Sequence, residues 1–236
     1  MTFDTKKKNW EESFSRGENF IFYPKEETVK FINRFIKKKK SYNQYTQILE
    51  SSDKLTALDF GCGIGRMTIL LKEFDIEGYG IDISKNAIQE AKQLAKNFGY
   101  NLENYLHVYD GEVIPFDQNF FDFTISEGVL DSMPFELAKK LLKEIDRVTK
   151  KYFFLSLISH ESLNFFKQMK NKSNFDGEIE VQELHEKGTI QSLFSKNKID
   201  ELIKDTNFKI KFCELHKVED LLRLEQHGRY YLVLEK

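Results

Sequence analysis

Ten consecutive residues constrain this chain more than any others. Ala57-Leu58-Asp59-Phe60-Gly61-Cys62-Gly63-Ile64-Gly65-Arg66 passes from a short apolar run, through an acid, into three glycines at alternate positions, and an amphipathic segment follows. That order predicts a buried strand, a tight turn and the start of a helix. Glycine lets the turn take positive φ and lets a ligand come close to the main chain. The first turn of the helix offers N–H groups with no intrahelical partner. The pattern predicts a small-molecule site at a strand end, with an unrelated tight turn as the alternative.

The spacing narrows the ligand. Dinucleotide-binding turns use G-x-G-x-x-G with a pyrophosphate on the helix N-terminus. Here the spacing is G-x-G-x-G, with Asp59 two residues before the first glycine. A carboxylate there repels a pyrophosphate and suits a positively charged group, such as the amino-acid ammonium of S-adenosylmethionine. A second acid, Asp82 in Gly78-Tyr79-Gly80-Ile81-Asp82-Ile83-Ser84, falls about 20 residues past the turn. Nucleotide-binding folds keep a ribose-binding carboxylate at that distance; a helix-capping or surface Asp is the other reading. His107-Val108-Tyr109-Asp110-Gly111 reads as a third strand end. Phe116 to Ser126 reads as a loop and fourth strand, with Ser126, Glu127 and Gly128 at its carboxyl end.

The four segments, in this order over roughly residues 54–158, resemble the class I S-adenosylmethionine-dependent methyltransferases. The resemblance implies S-adenosylmethionine as cofactor, with S-adenosylhomocysteine as product. It implies a cofactor set of Asp59, Gly61, Cys62, Gly63, Gly65, Arg66, Asp82, Ile83, Asp110, Gly111, Ser126 and Glu127. Asp82 would take the ribose, Ile83 the adenine face and Asp110 the adenine amino group.

Periodicity extends the reading. Residues 1–25, with Trp10, Phe14, Phe20, Phe22 and Tyr23, read as an irregular arm with local helix. Val29, Ile32, Phe35 and Ile36 mark a helix from about Glu26 to Lys40, whose last residues, Lys37 to Lys40, face water and suit the helix dipole. Helical faces follow at Met67–Phe74, Ile88–Phe98 and Phe135–Val148, and Lys151–Ile158 reads as strand five. Residues 159–197 have no clean period. Ile199–Ile203 reads as a short helix, then strands at Phe208–Val218 and Arg229–Glu235, separated by a loop or helix around Leu221–Glu225. Alternating strand and helix predict a parallel sheet with right-handed crossovers. The resemblance sharpens this to an α/β, Rossmann-like, seven-stranded, mostly parallel sheet with one antiparallel strand near the C-terminus and helices on both faces. A single domain over 1–236 is expected: an arm and helix (1–50) acting as a lid, a cofactor core (54–158), an insert on the acceptor side (159–197) and a closing helix and strands (198–236). The family's Gly-rich turn before strand five is missing from Val148-Thr149-Lys150-Lys151-Tyr152.

Composition excludes several classes. A net charge of −2 provides no global field for nucleic acid. Two cysteines, one in the glycine turn and one in a late strand, argue against a structural disulfide and fit a reducing cytoplasm. His160-Glu161 and His185-Glu186 each lack the second His of a zinc helix, so no metal is expected. No signal peptide or membrane span is expected. Oligomeric state is left open.

The acceptor side has candidates of its own. Glu127 and Asp131 flank the expected methyl position, and His185 lies in a compact polar cluster of the insert. A His titrates near neutrality and suits a base role; an exposed loop His is the alternative, and for Asp131 a helix-start cap. His160 is a third candidate. Ser126-Glu127-Gly128-Val129 replaces the Asn/Asp-Pro-Pro-aromatic of nucleic-acid amino methylation, and no Pro-Cys nucleophile is present. A small polar acceptor is left, methylated on oxygen. Residues 128–134 and the insert are similar to bacterial methyltransferases of sugar or surface-polysaccharide pathways. The alternatives are a small-amine N-methyltransferase and a non-catalytic cofactor-binding scaffold. A dehydrogenase on this fold is disfavoured by the glycine spacing, and no Tyr has a Lys four residues on, as a short-chain dehydrogenase requires.

Overall fold

A computed structural model describes residues 3–51, 53–164, 177–182, 186–222 and 225–236. The elements in chain order are α1 (Phe3–Ser15), α2 (Glu26–Phe31) with a π-helical turn (Ile32–Ile36), β1 (Lys37–Ser41), β2 (Gln44–Gln47), β3 (Thr56–Phe60), α3 (Arg66–Glu73), β4 (Glu77–Asp82), α4 (Lys85–Asn97), β5 (Leu106–Val108) and β6 (Phe121–Glu127). Then come α5 (Phe135–Val148), β7 (Thr149–Ile158), a 3-10 turn (His160–Asn164), β8 (Glu178–Glu180), β9 (Ile190–Ser192), α6 (Lys196–Ile203), β10 (Lys209–Asp220) and β11 (Glu225–Glu235).

Seven strands form one sheet in the order β10-β11-β7-β6-β3-β4-β5. The pairs β7–β6, β6–β3, β3–β4 and β4–β5 are parallel, and β11 runs antiparallel to both β7 and β10. The expected fold, with its one antiparallel strand near the C-terminus, is therefore present. Successive side chains on a strand point to opposite faces, and this builds two cores. Leu58, Phe153 and Leu155 pack with α5 and α6 on one face. Ala57, Phe123, Ile125 and Phe154 pack with α2 and α3 on the other. Phe31 of α2 stacks on Phe154 with ring centroids 5.0 Å apart. The missing glycine turn has a simple counterpart: α5 passes straight into β7, and Thr149 at the junction bonds Thr124 at 2.6 Å.

Two expectations need correction. Lys37–Lys40 do not end a helix; they form β1, paired with β2. Four like charges in a helical turn repel, whereas a strand sends them to alternate faces. Lys37 and Lys39 then lie over the Tyr45 ring, at 5.0 and 5.8 Å, and Lys37 also pairs with Asp75. Asn33 stops the helix, since its side-chain oxygen accepts the Lys39 N–H at 3.0 Å. The strands expected at Phe208–Val218 and Arg229–Glu235 do separate around Leu221–Glu225, but they run closer to that break than expected, β10 reaching Asp220 and β11 starting at Glu225. Among the described residues no helix is long and apolar enough to cross a membrane.

Candidate active site

The carboxyl ends of the parallel strands open into a cavity of about 280 Å³. In open α/β sheets this is where ligands bind. The β3–α3 turn makes one wall. Gly61, Gly63 and Gly65 all take positive φ, at 71°, 54° and 82°. The N–H groups of Gly61 and Cys62 both donate to the Ile81 carbonyl, which fixes the turn against the end of β4. A Cβ on Gly61 would stand 2.5 Å from Val129, so the loop after β6 lies directly on the glycine turn.

Asp82 ends β4 as the spacing predicted. One carboxylate oxygen accepts the Gly63 N–H at 3.0 Å and the other the Ser84 N–H at 2.9 Å, which ties the turn to the start of α4. Asp59, 2% exposed, accepts the Thr68 hydroxyl at 2.7 Å. Burial pushes its pKa up to about 6, opposed by the Thr68 bond and the Arg66 charge. Burial also pushes the Cys62 thiol up, so it stays protonated and inert as a nucleophile. Ile83 and Tyr109 complete this half of the wall. Tyr109 is a lining residue the sequence reading passed over, although it stands beside Asp110.

The structure does not bring all expected residues together. Asp110 is exposed, and its carboxylate accepts the Glu112 and Val113 N–H groups at 2.9 and 3.1 Å, which holds its pKa down. Gly111 lies in that turn at φ 88°. Neither lines the cavity, and nor does Ser126, which is fully buried in β6. His160 is exposed outside the wall, with its ring nitrogen bonded to the Phe194 carbonyl. His185 lies outside the described residues.

The other half of the cavity is built on β6, β7 and β11. Glu127 ends β6 with its side chain 4% exposed. Its Oε1 accepts Lys25 Nζ at 2.8 Å and the Ser156 hydroxyl at 2.7 Å. Its Oε2 is buried and has no partner among the described residues. Ser156 in turn accepts from the Gly128 N–H at 3.1 Å and from Arg229 Nη1 at 3.0 Å. Arg229, on β11, also pairs with Asp131 at 2.8 Å. Burial opposes the Arg229 cation, but Asp131 and Glu127 overcome it and hold its pKa up. Asp131 is completely buried, and the oxygen facing Arg229 also accepts the Ile158 N–H at 2.8 Å. It does not cap α5: the first N–H of that helix goes to Glu178 of β8 at 2.6 Å.

The arm lies over the cavity. Trp10, Phe14, Asn19, Ile21 and Lys25 line it, while the Tyr23 side chain points to solvent and only its carbonyl accepts a bond, from Arg66. Glu186 and Gln191 of the insert line it too. Arm and insert are joined: Asn9 donates to the Gly188 carbonyl at 2.6 Å, and Glu18 accepts the Glu186 N–H at 3.1 Å. Lys25 and Arg229 were not singled out from the sequence. Each is one cation among 36 Lys and Arg, and each finds its partner about a hundred residues away in the chain.

A glycine-walled cavity at the switch of a seven-stranded sheet defines a class, and the sequence agrees. A methyltransferase-domain family profile matches residues 51–207, and the chain belongs to this family. It is 34% identical over 119 residues to a demethylmenaquinone methyltransferase of Bacillus velezensis, covering 49% of this chain and 50% of the relative. It is 28% identical over 141 residues to a sterol 4-C-methyltransferase of Caenorhabditis elegans, covering 57% and 39%. The chain thus spans half the length or less of these curated relatives. Among solved structures it is similar to a SAM-dependent methyltransferase from Methanosarcina mazei, with TM-score 0.66, 21% identity and coverage of 79% and 94%.

Proposed function

We propose that this protein is an S-adenosylmethionine-dependent methyltransferase acting on a small polar acceptor. The observation that carries the reading is the glycine cradle with Asp82 and Asp59 beside it in the wall of one cavity. A Cβ at Gly61 would press on Val129 at 2.5 Å, so the wall requires bare backbone there. Asp82 has both oxygens oriented by main-chain N–H groups, which holds its carboxylate at the strand end where ribose hydroxyls would bind. The buried Asp59 carboxylate suits the amino-acid ammonium. Ile83 and Tyr109 offer apolar surface to the adenine. The residues present therefore fit S-adenosylmethionine, which when bound supplies a methyl group on a positively charged sulfur.

The chain's own work is to place the acceptor and exclude water. The lid of Trp10, Phe14 and Ile21 removes water from above. Glu127 sits where the cofactor half meets the other half, and its buried Oε2, without a partner among the described residues, is the atom that would take a proton from an acceptor hydroxyl. Asp131, buried behind the wall, holds Arg229 rather than reaching the cavity. His185 is a further candidate base. On the finer reading the acceptor is a sugar or related surface-polysaccharide precursor methylated on oxygen, supported by the similarity of residues 128–134 and the insert to such enzymes. A small amine is the second reading, since Glu127 Oε2 also suits an ammonium.

The test uses S-adenosylmethionine with a labelled methyl group and a cell extract separated by size. Label in the small-molecule fraction is expected. Asp82→Ala should lower S-adenosylhomocysteine affinity by about 10- to 100-fold, the loss of a hydrogen bond to a charged group. Unchanged affinity by titration calorimetry would overturn the site.

A further inference from the structure

The half of the cavity away from the glycine turn presents two opposite and unfinished polar edges. One is Glu127 Oε2, buried and without a donor. The other is Arg229. A guanidinium carries five N–H groups, and the bonds to Asp131 and Ser156 use only Nη1. Among the described residues nothing bonds its Nη2 or Nε, and its side chain, a quarter exposed, lines the cavity. Glu127 and Arg229 also share one hydroxyl. Ser156 donates to the first at 2.7 Å and accepts from the second at 3.0 Å, so they stand no farther apart than those two bonds laid end to end.

Topology assigns these edges to the acceptor. The glycine turn, Asp82, Ile83 and Tyr109 follow β3, β4 and β5, whereas Ser156, Arg229 and Glu127 (which the family resemblance also gives to the cofactor) belong to β7, β11 and β6, on the opposite side of the switch. A buried acceptor atom calls for a donor, and an open guanidinium fork matches a carboxylate in shape and charge. We propose that the acceptor is a hydroxy acid: its hydroxyl donates to Glu127 Oε2 and is the methylated oxygen, and its carboxylate, a few bonds away, lies on the open edge of Arg229. The inference rests on the methyltransferase reading above. In the transfer the hydroxyl oxygen forms its bond to the methyl carbon as the carbon–sulfur bond breaks. The electron pair of that bond stays on sulfur, and the hydroxyl proton passes to Glu127.

The same labelled incubation decides it, with the small-molecule fraction of an extract of the source cells and the products resolved by anion exchange at neutral pH. A labelled product carrying a carboxylate is expected. With that product's parent as substrate, Arg229→Gln/Asp131→Asn, which removes both charges of the pair together, should raise KM at least tenfold with S-adenosylhomocysteine affinity unchanged. Arg229→Lys should recover part of the loss. A labelled product that is neutral or cationic overturns the hydroxy-acid inference and leaves the methyltransferase standing. So does a double variant whose KM for the acid is unchanged. No labelled small molecule, from protein that binds S-adenosylhomocysteine, overturns small-molecule methyl transfer itself and the inference with it.

Discussion

Asp59 shows how far burial alone can move a group that sequence identifies only as an acid. Its pKa in the folded chain, about 6, lies above the ordinary 3.8. Folding therefore favours the protonated form. The stability contribution is complete below about pH 4, falls as pH rises toward about 6, and is level above that. Asp59→Asn has no such loss. Measured by denaturant without ligand, the variant should gain on the wild type by on the order of 3 kcal/mol between pH 4 and pH 7. A constant gap across that range would mean that Asp59 titrates as it does in water. Ligand binding should reverse the trend, because a cation beside Asp59 favours its charged form.

At the scale of elements, α5 depends on a distant residue. Pro134 precedes it and provides no side-chain cap, and Glu178 from β8 accepts the Phe135 N–H instead. Glu178→Ala should cost about 1 kcal/mol, as the loss of an N-cap does. In a chain of this size that lowers Tm by about 2–4 °C in a calorimetric scan. An unchanged Tm would show that water replaces the carboxylate at no cost. This bond also marks where sequence reading stops. The strands and helices of the core were legible because their signals are local: the Gly61–Gly65 turn, the apolar run in β7, the stripe on α5. Asp82 was legible for the same reason, through its spacing from the turn. The partners of Asp131 and Phe135 come from β11 and β8, and no window of sequence contains both members of either pair. Lys37–Lys40 misled because a run of like charges has the same pattern in a helix tail and in a strand; Tyr45 and Asn33 decide between them.

For the whole molecule, binding and stability are one measurement. The cavity is walled by β3, β4 and β6 ends, the arm and the insert, so a ligand there holds together parts that separate on unfolding. S-adenosylhomocysteine at about 100 times its Kd should add roughly 2.7 kcal/mol to the unfolding free energy. That raises Tm by about 5–10 °C at this chain length. The added free energy should fall to about 0.4–1.4 kcal/mol in Asp82→Ala at the same ligand concentration, and an undiminished shift there would move the binding site elsewhere. The two buried faces of the sheet carry the rest of the stability, and they need no ligand to stay closed.

The roof has a different consequence. Both bonds that seam it, Asn9 to the Gly188 carbonyl and the Glu186 N–H to Glu18, use only main chain on the insert side. A Cβ at Gly188 would press on Asn9 at 2.9 Å, so that glycine is fixed. Neither of these two bonds depends on the identity of an insert side chain. Such a roof can change its cavity-facing side chains, residue by residue, while these two main-chain bonds stay the same. An enzyme built this way can inherit a lid and still learn a new acceptor.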